Sequence, residues 1–479
     1  MSNELDKVKA EIFMRDVLLK ESFYAFIKHF WHVIEPGTEY KEGWHVHVIC
    51  QHLTAVTEFK IPKLIVNIPP RHMKSIIISA MWPAWVWLKY PHRKFIYASY
   101  SQSLALQDSV KTRDIILSGE YQRLIGSDWS LKEDANLKTE FHNTKGGIRV
   151  ATSVGGTLTG KGGDYLVADD PQSATDAHSE TIREEANRWW GEVMSSRAND
   201  PKQVGRVVIQ QRLHESDLTG NLLANNKGYQ HLILPAVYEA NSKLKSDTAL
   251  RFKDPRTKDG ELLWPERFDL ASINELKKDL GSLASSGQLQ QDPKPADGGM
   301  FKRKWWQWYR DLPLDIEQIV QFWDCAQKPG VTNDYSVCAT WAKTSKGFFM
   351  LDLWREKVEA PDLERAVFTN FSKHKPNAVV IEDKSSGSSL IQTLLRETDL
   401  PVIPYDPGKL DKVTRASAVT PKVESGRCFL NDRIEGIEDF LLEHEKFPSA
   451  AHDDTVDTTS MMIEYFSMRG TSRPRVRTL

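Results

Sequence analysis

Lys74-Ser75 closes the segment PPRHMKS at residues 69–75, a place where lysine and hydroxyl chemistry suits phosphate. In the glycine-rich phosphate loop G-x-x-x-x-G-K-S/T, backbone amides wrap the phosphates, the lysine meets the β and γ oxygens, and the hydroxyl ligates Mg²⁺. Here Ile68 and Met73 stand at the two glycine positions. A second segment, Gly155-Gly-Thr-Leu-Thr-Gly160-Lys161, fits the spacing better, but Gly162 replaces the metal-binding hydroxyl. It also runs into a strand-like stretch, so no helix N-terminus follows to receive phosphate. Context therefore favours PPRHMKS, although alone it would read as a Pro-marked turn.

Acids supply the complementary chemistry. Tyr165-Leu-Val-Ala-Asp169-Asp170 has the form of a Walker B segment: one carboxylate orders Mg²⁺ and its neighbour polarises the attacking water. In isolation these would be turn or cap acids before Pro171; beside a Lys-Ser loop the functional reading prevails. A second group comprises Asp324, Glu382 and the run His452-Asp453-Asp454-Thr-Val-Asp457. Two divalent ions about 4 Å apart need several hard-oxygen ligands converging from different elements, and Asp324, Glu382, Asp453 and Asp454 are the candidates. Asp453 and Asp457 share a helix face while Asp454 points about 100° away, so the choice between Asp453 and Asp454 stays open. Asp453 also reads as a plain helix cap.

The elements that must position these groups are legible. Leu64–Ile68, Lys94–Ala98, Gly147–Ala151, Tyr165–Ala168, Gly205–Gln210 and His231–Leu234 read as strands alternating with helices, hence an α/β domain with a mostly parallel sheet. After residue 304 the strands Gln318–Asp324, Ser336–Ala342 and Gly347–Leu353 form a meander, with Thr344–Gly347 as a tight turn. Helix, strand, helix, strand and further helices follow. The order β-β-β-α-β-α-β-α resembles the ribonuclease H-like nuclease fold, with Asp324 and Glu382 at strand ends and the Asp453-Asp454 pair opening the last helix. The expected divisions are an aromatic-rich helical region over 1–60, a nucleotide domain over 61–238, a connecting segment over 239–304, a nuclease domain over 305–466 and a basic tail over 467–479.

Composition sets bounds. The 479 residues carry 40% hydrophobic and 27% charged side chains with a net charge of −2, so any nucleic-acid contact must use local basic patches. The four cysteines lack metal-ligand spacing and read as buried, reduced thiols. No signal peptide or membrane span is expected, which points to an intracellular protein.

With both sites in view, PPRHMKS, the Gly155–Asp164 run, Leu-Val-Ala-Asp-Asp-Pro, Gln211-Arg212-Leu-His-Glu-Ser-Asp-Leu218, Leu263-Trp-Pro-Glu-Arg-Phe268, Gln290-Gln-Asp-Pro293 and the closing His-Asp-Asp together resemble the large terminase subunit of tailed bacteriophages. The resemblance spans nearly the whole chain. It implies an ATP-driven motor that moves double-stranded DNA into a procapsid and a two-metal endonuclease that cuts concatemeric DNA. It further implies Mg²⁺, with Mn²⁺ possible in the nuclease, portal protein and small terminase subunit as partners, a homo-oligomeric ring expected to be pentameric, and a place in the host cytoplasm, docked on the procapsid.

By the same resemblance Arg71, His72, Met73, Lys74 and Ser75 form the nucleotide loop, with Ser75 and Asp169 on the metal. Asp170 takes the catalytic-carboxylate place usually held by glutamate, with Glu180 or Glu184 as substitutes, and Gln211-Arg212 senses hydrolysis. Asp324, Glu382 and Asp453 or Asp454 are the nuclease acids. Arg149 and Arg212 are candidates for an arginine acting in trans. The rival readings are a DNA-repair helicase fused to a nuclease and a nucleotide-binding scaffold without turnover.

Overall fold

The computed structural model describes residues 2–294, 299–326, 335–384, 386–408, 410–450 and 452–468. The chain divides into two compact units, Met1–Lys277 with Leu283–Pro295, and Lys278–Ser282 with Ala296–Leu479.

The first unit is built on an eight-stranded sheet: β1 (Lys63–Asn67), β2 (Lys94–Ser99), β3 (Leu131–Asn136), β4 (Glu140–Asn143), β5 (Ile148–Ser153), β6 (Tyr165–Asp169), β7 (Gly205–Gln210) and β8 (Gln230–Ile233). Their order is β3-β4-β5-β2-β6-β7-β1-β8. Six strands run parallel, and β4 and β3 add an antiparallel edge. The central strands are apolar on both faces because both are covered. Leu64, Val66, Phe95, Tyr97 and Val167 enter one core, while Ile65, Ile96, Ala98, Leu166 and Ala168 enter the other. Strand β3 reads Leu-Lys-Glu-Asp-Ala-Asn; its charges conceal it in the sequence and suit an edge that must not pair further.

Helices Phe23–Ile34 and Trp44–Thr57 pack on the same core as β1 through Phe26, Phe30, Val46, Ile49 and Leu53. The segment expected to connect the two halves gives most of its length to the first unit, with Leu263 and Trp264 buried in that core.

The second unit holds a seven-stranded sheet: β9 (Gln307–Trp308), β10 (Gln318–Asp324), β11 (Ser336–Lys343), β12 (Phe348–Glu356), β13 (Ala378–Glu382), β14 (Val402–Tyr405) and β15 (Cys428–Leu430), ordered β14-β13-β10-β11-β12-β15-β9. The meander β10 to β12 is antiparallel, and β13 joins the far side of β10 in parallel. Trp323 is level with Ile381 across that pair, so Asp324 and Glu382 leave the sheet side by side. Helix Asp454–Met468 lies against β10, with Tyr465 and Phe466 each 5.6 Å from the Phe322 ring. Residues 469–479, most of the basic tail, lie outside the described residues. Among the described residues no helix is long and apolar enough to cross a membrane.

Candidate active sites

Strand β1 ends at Asn67 and the chain turns through Ile68–Ser75 into a helix that opens as a π-helix, Ile76–Met81. Arg71 and Met73 both have positive φ, 63° and 65°. Met73 thus adopts at its glycine position the left-handed conformation that glycine would supply freely, at a cost of about 1–2 kcal/mol for a residue with a Cβ. Burial offsets it, because Met73 is 5% exposed and packs in the same core as Ile77. The missing glycine is replaced by a strained backbone held down by its own side chain.

His72 corrects an expectation. Its Nδ1 donates to the Pro70 carbonyl at 2.8 Å, and its ring stacks on Phe268 with centroids 4.7 Å apart and lies 6.0 Å from Trp264. Burial lowers its pKa to about 4, so the ring is a neutral wedge beneath the loop, not a phosphate ligand. The Leu263–Phe268 segment thereby acquires a role as the loop's aromatic floor. Arg71, by contrast, is exposed.

Lys74, 7% exposed, is ion-paired with Asp170. Asp170, itself at positive φ, also accepts from the Gln211 backbone N–H at 3.4 Å. This follows from the strand order: β7 lies between β1 and β6, and Asn67 pairs with Gln210 while Asp169 pairs with Ile209. The loop lysine, the acid after β6 and the segment after β7 consequently meet at one edge. Beside them, Asp169 Oδ2 accepts from Ser79 Oγ at 2.6 Å. Burial, then the neighbouring Asp170, lifts the Asp169 carboxyl to about 6, against the pull of Lys74, Ser79 and Ser75. Asp169 Oδ1 is buried without a partner. A hydroxyl and an orphaned carboxylate oxygen on facing elements suit a hard divalent cation.

The two arginines expected as candidates for a role in trans are engaged within their own chain. Arg149 on β5 is fully buried in its own chain, donates to the Ser79 carbonyl at 2.7 Å and lies 4.5 Å from the Tyr97 ring centroid. Nearby Pro83 has no N–H to return to this irregular turn. Arg212 Nε donates to both oxygens of the fully buried Asp217, at 3.0 and 2.9 Å, and Nη2 donates to the His214 and Glu215 carbonyls. Its guanidinium organises its own loop. Its backbone N–H donates to Gln291 Oε1 at 3.0 Å, which explains Gln290-Gln-Asp-Pro293 as a brace. In the Gly155–Lys161 segment, Lys161 pairs with Glu140, and strand β6 follows at Tyr165 without a helix. Asp108 was not foreseen: burial and Asp169 raise its carboxyl to about 7 against Arg149.

In the second unit the acids converge. Burial, and then Asp457, Glu382 and Asp454, hold the Asp324 carboxyl well above the ordinary range, with Lys412 opposing. Asp454 is 3% exposed and accepts from the Tyr335 N–H at 3.2 Å. Asp453 instead takes Lys412 at 2.6 Å. Of the two, Asp454 is the buried acid whose charge acts on Asp324. Asp457 was left without a role in the sequence, yet it is 2% exposed and accepts from Lys412 and Arg415 at 2.8 and 2.9 Å; its i+3 spacing from Asp454 was the available signal. Arg415 also reaches Glu382 at 3.5 Å. These oxygens are the right donors for Mg²⁺ or Mn²⁺, but among the described residues no three carboxylates, imidazoles or thiols are placed to close on one ion.

Residues 321–466 match the family model of the terminase RNase H-like domain. No curated protein matches the chain. Among solved structures, the large terminase of the thermophilic bacteriophage D6E is similar at 12% identity over 87% of this chain and 98% of that one, with a TM-score of 0.47. The bacteriophage HK97 large terminase is similar at 10% identity over 93% and 99%, with a TM-score of 0.37. The human cytomegalovirus terminase nuclease domain is similar at 12% identity over 31% and 82%, with a TM-score of 0.23.

Proposed function

We propose that the chain is a large terminase subunit, the ATP-hydrolysing motor and metal-dependent DNA endonuclease of a viral genome-packaging machine, a reading supported by the match of residues 321–466 to the terminase RNase H-like domain. The observation that carries this reading is the meeting of Lys74, Asp170 and the Gln211 backbone at one edge of a parallel sheet, in a chain that also bears a terminase RNase H-like domain.

ATP would enter with its phosphates at the Ser75 end of the loop, where the helix N-terminus favours negative charge. Lys74 would exchange Asp170 for the β and γ oxygens. Asp170, released, would orient the attacking water, and its parting from the Gln211 N–H would pass the event to β7 and its following loop. Ser75 and Asp169 would hold a divalent ion that neutralises charge on the transferring phosphoryl group. In the second unit Asp324, Glu382 and Asp454 would hold the ions that polarise the scissile phosphodiester, while the parallel pairing of β10 with β13 keeps the first two carboxylates level. Moving double-stranded DNA requires a ring around it, and portal and small-subunit partners to dock and feed it.

The test is packaging itself. With matching procapsids and small subunit, the chain should render added double-stranded DNA resistant to DNase in proportion to ATP consumed. ATP hydrolysis and metal-dependent cutting without any protected DNA would favour a helicase-nuclease. Nucleotide binding without turnover would favour a scaffold.

A further inference from the structure

The second acid centre already contains cations. Lys412 bridges Asp453 and Asp457 at 2.6 and 2.8 Å, and Arg415 spans Asp457 and Glu382 at 2.9 and 3.5 Å. Asp324, Glu382, Asp453, Asp454 and Asp457, set against these two, leave three formal negative charges. One divalent ion would leave a single negative charge over, and two would leave a single positive charge over. The two basic residues are not equivalent. Arg415 is 2% exposed and pinned by two acids. The Lys412 side chain is 44% exposed on a flexible stem, and an ammonium is the side chain closest to a hydrated point charge. Lys412 opens helix Lys412–Glu424, whose cap is Asp411, so the positive end of that helix adds to its field.

We infer that Lys412 is a built-in cation that occupies the Asp453–Asp457 side of the nuclease centre and limits the DNA-free chain to one divalent ion, taken on the Asp324–Asp454 side. The second ion enters only when Lys412 swings away, as a DNA phosphate placed beside it would draw it. This accounts for an acid-rich centre in which, among the described residues, no three donors close on an ion: Asp453 and Asp457 face Lys412, and Glu382 faces Arg415. It also supplies a restraint on cutting before DNA is seated. The inference rests on the proposed nuclease.

Mn²⁺ titration of the full nucleotide-free chain, followed by electron paramagnetic resonance of the free ion and by the metal-dependent shift in melting temperature, tests it. Wild type should bind one Mn²⁺ that Asp324→Asn abolishes. Lys412→Gln should bind a second, or bind the first about tenfold more tightly, and Lys412→Arg should restore wild-type behaviour. Metal-free melting and ATP turnover of Lys412→Gln serve as folding controls. An unchanged Mn²⁺ count and affinity in Lys412→Gln overturns the role of Lys412 while leaving the nuclease intact. Equal binding by wild type and Asp324→Asn would instead show that these acids are not the metal site, and both readings fall.

Discussion

The Lys74 ammonium and the Asp170 carboxylate form an ion pair between the phosphate loop and the end of β6, and the backbone N–H of Gln211 donates to the same carboxylate. If Lys74 binds nucleotide as proposed, Asp170 competes for it. Asp170→Asn removes that competition together with the water-orienting base. It should leave the affinity for a non-hydrolysable ATP analogue equal or tighter while kcat falls about 10²–10⁴-fold. Fluorescent-nucleotide binding alongside steady-state turnover separates the two effects, and a parallel loss of binding would count against the exchange.

Met73 carries its own test. At φ 65° alanine keeps the left-handed strain and loses the buried thioether, whereas glycine loses the same burial but relieves the strain. Met73→Ala should accordingly be less stable than Met73→Gly by about 1 kcal/mol, a reversal of the usual order, read as the midpoint of the first unit in thermal or urea unfolding. Equal midpoints would mean that the loop relaxes out of this conformation.

Arg212 and Asp217 are a buried pair, 7% and 0% exposed. Asp217 also caps helix Leu218–Ala224 through the Gly220 N–H at 2.9 Å. Arg212→Ala leaves that carboxylate buried with its main partner gone and should cost about 3–5 kcal/mol. Arg212→Lys, which cannot reproduce the fork, should recover only part. Denaturant midpoints decide; a loss of turnover with unchanged stability would return Arg212 to a direct role.

The Asp324 carboxyl is raised by burial and by Asp457, Glu382 and Asp454. As pH climbs above its ordinary value of 3.8, the unfolded chain releases this proton while the folded chain holds it, so the group subtracts stability with rising pH. Asp324→Asn cannot ionise. In EDTA at pH 7.5 it should melt a few degrees above wild type, with the gap closing toward pH 4, and added Mn²⁺ should stabilise wild type alone. A lower melting temperature at both pH values would contradict this electrostatic account.

Strands β1, β6 and β7 were legible because a strand buried on both faces must be apolar throughout, and Lys74, Asp169 and Asp170 sit at their ends. Strands β3 and β4 were not, since a charged edge such as Lys132-Glu133-Asp134 carries no burial pattern. His72 was misread because its floor, Trp264 and Phe268, lies nearly two hundred residues away. Lys412 and Arg415 escaped notice for the same reason: their acid partners come from β13 and the last helix, and only folding brings those charges together. Asp457 was visible at i+3 from Asp454, but one-dimensional spacing could not show which face of the helix meets β10.

On the proposed function one chain carries two separable chemistries, phosphate transfer at Lys74 and Asp170, and DNA cleavage at Asp324, Glu382 and Asp454. ATP turnover and Mn²⁺-dependent plasmid cutting, measured side by side on full-length Lys74→Ala and Asp324→Asn, test it most directly. Lys74→Ala should cut plasmid without hydrolysing ATP, and Asp324→Asn should hydrolyse ATP without cutting. Turnover surviving in Lys74→Ala, or cutting surviving in Asp324→Asn, would contradict it.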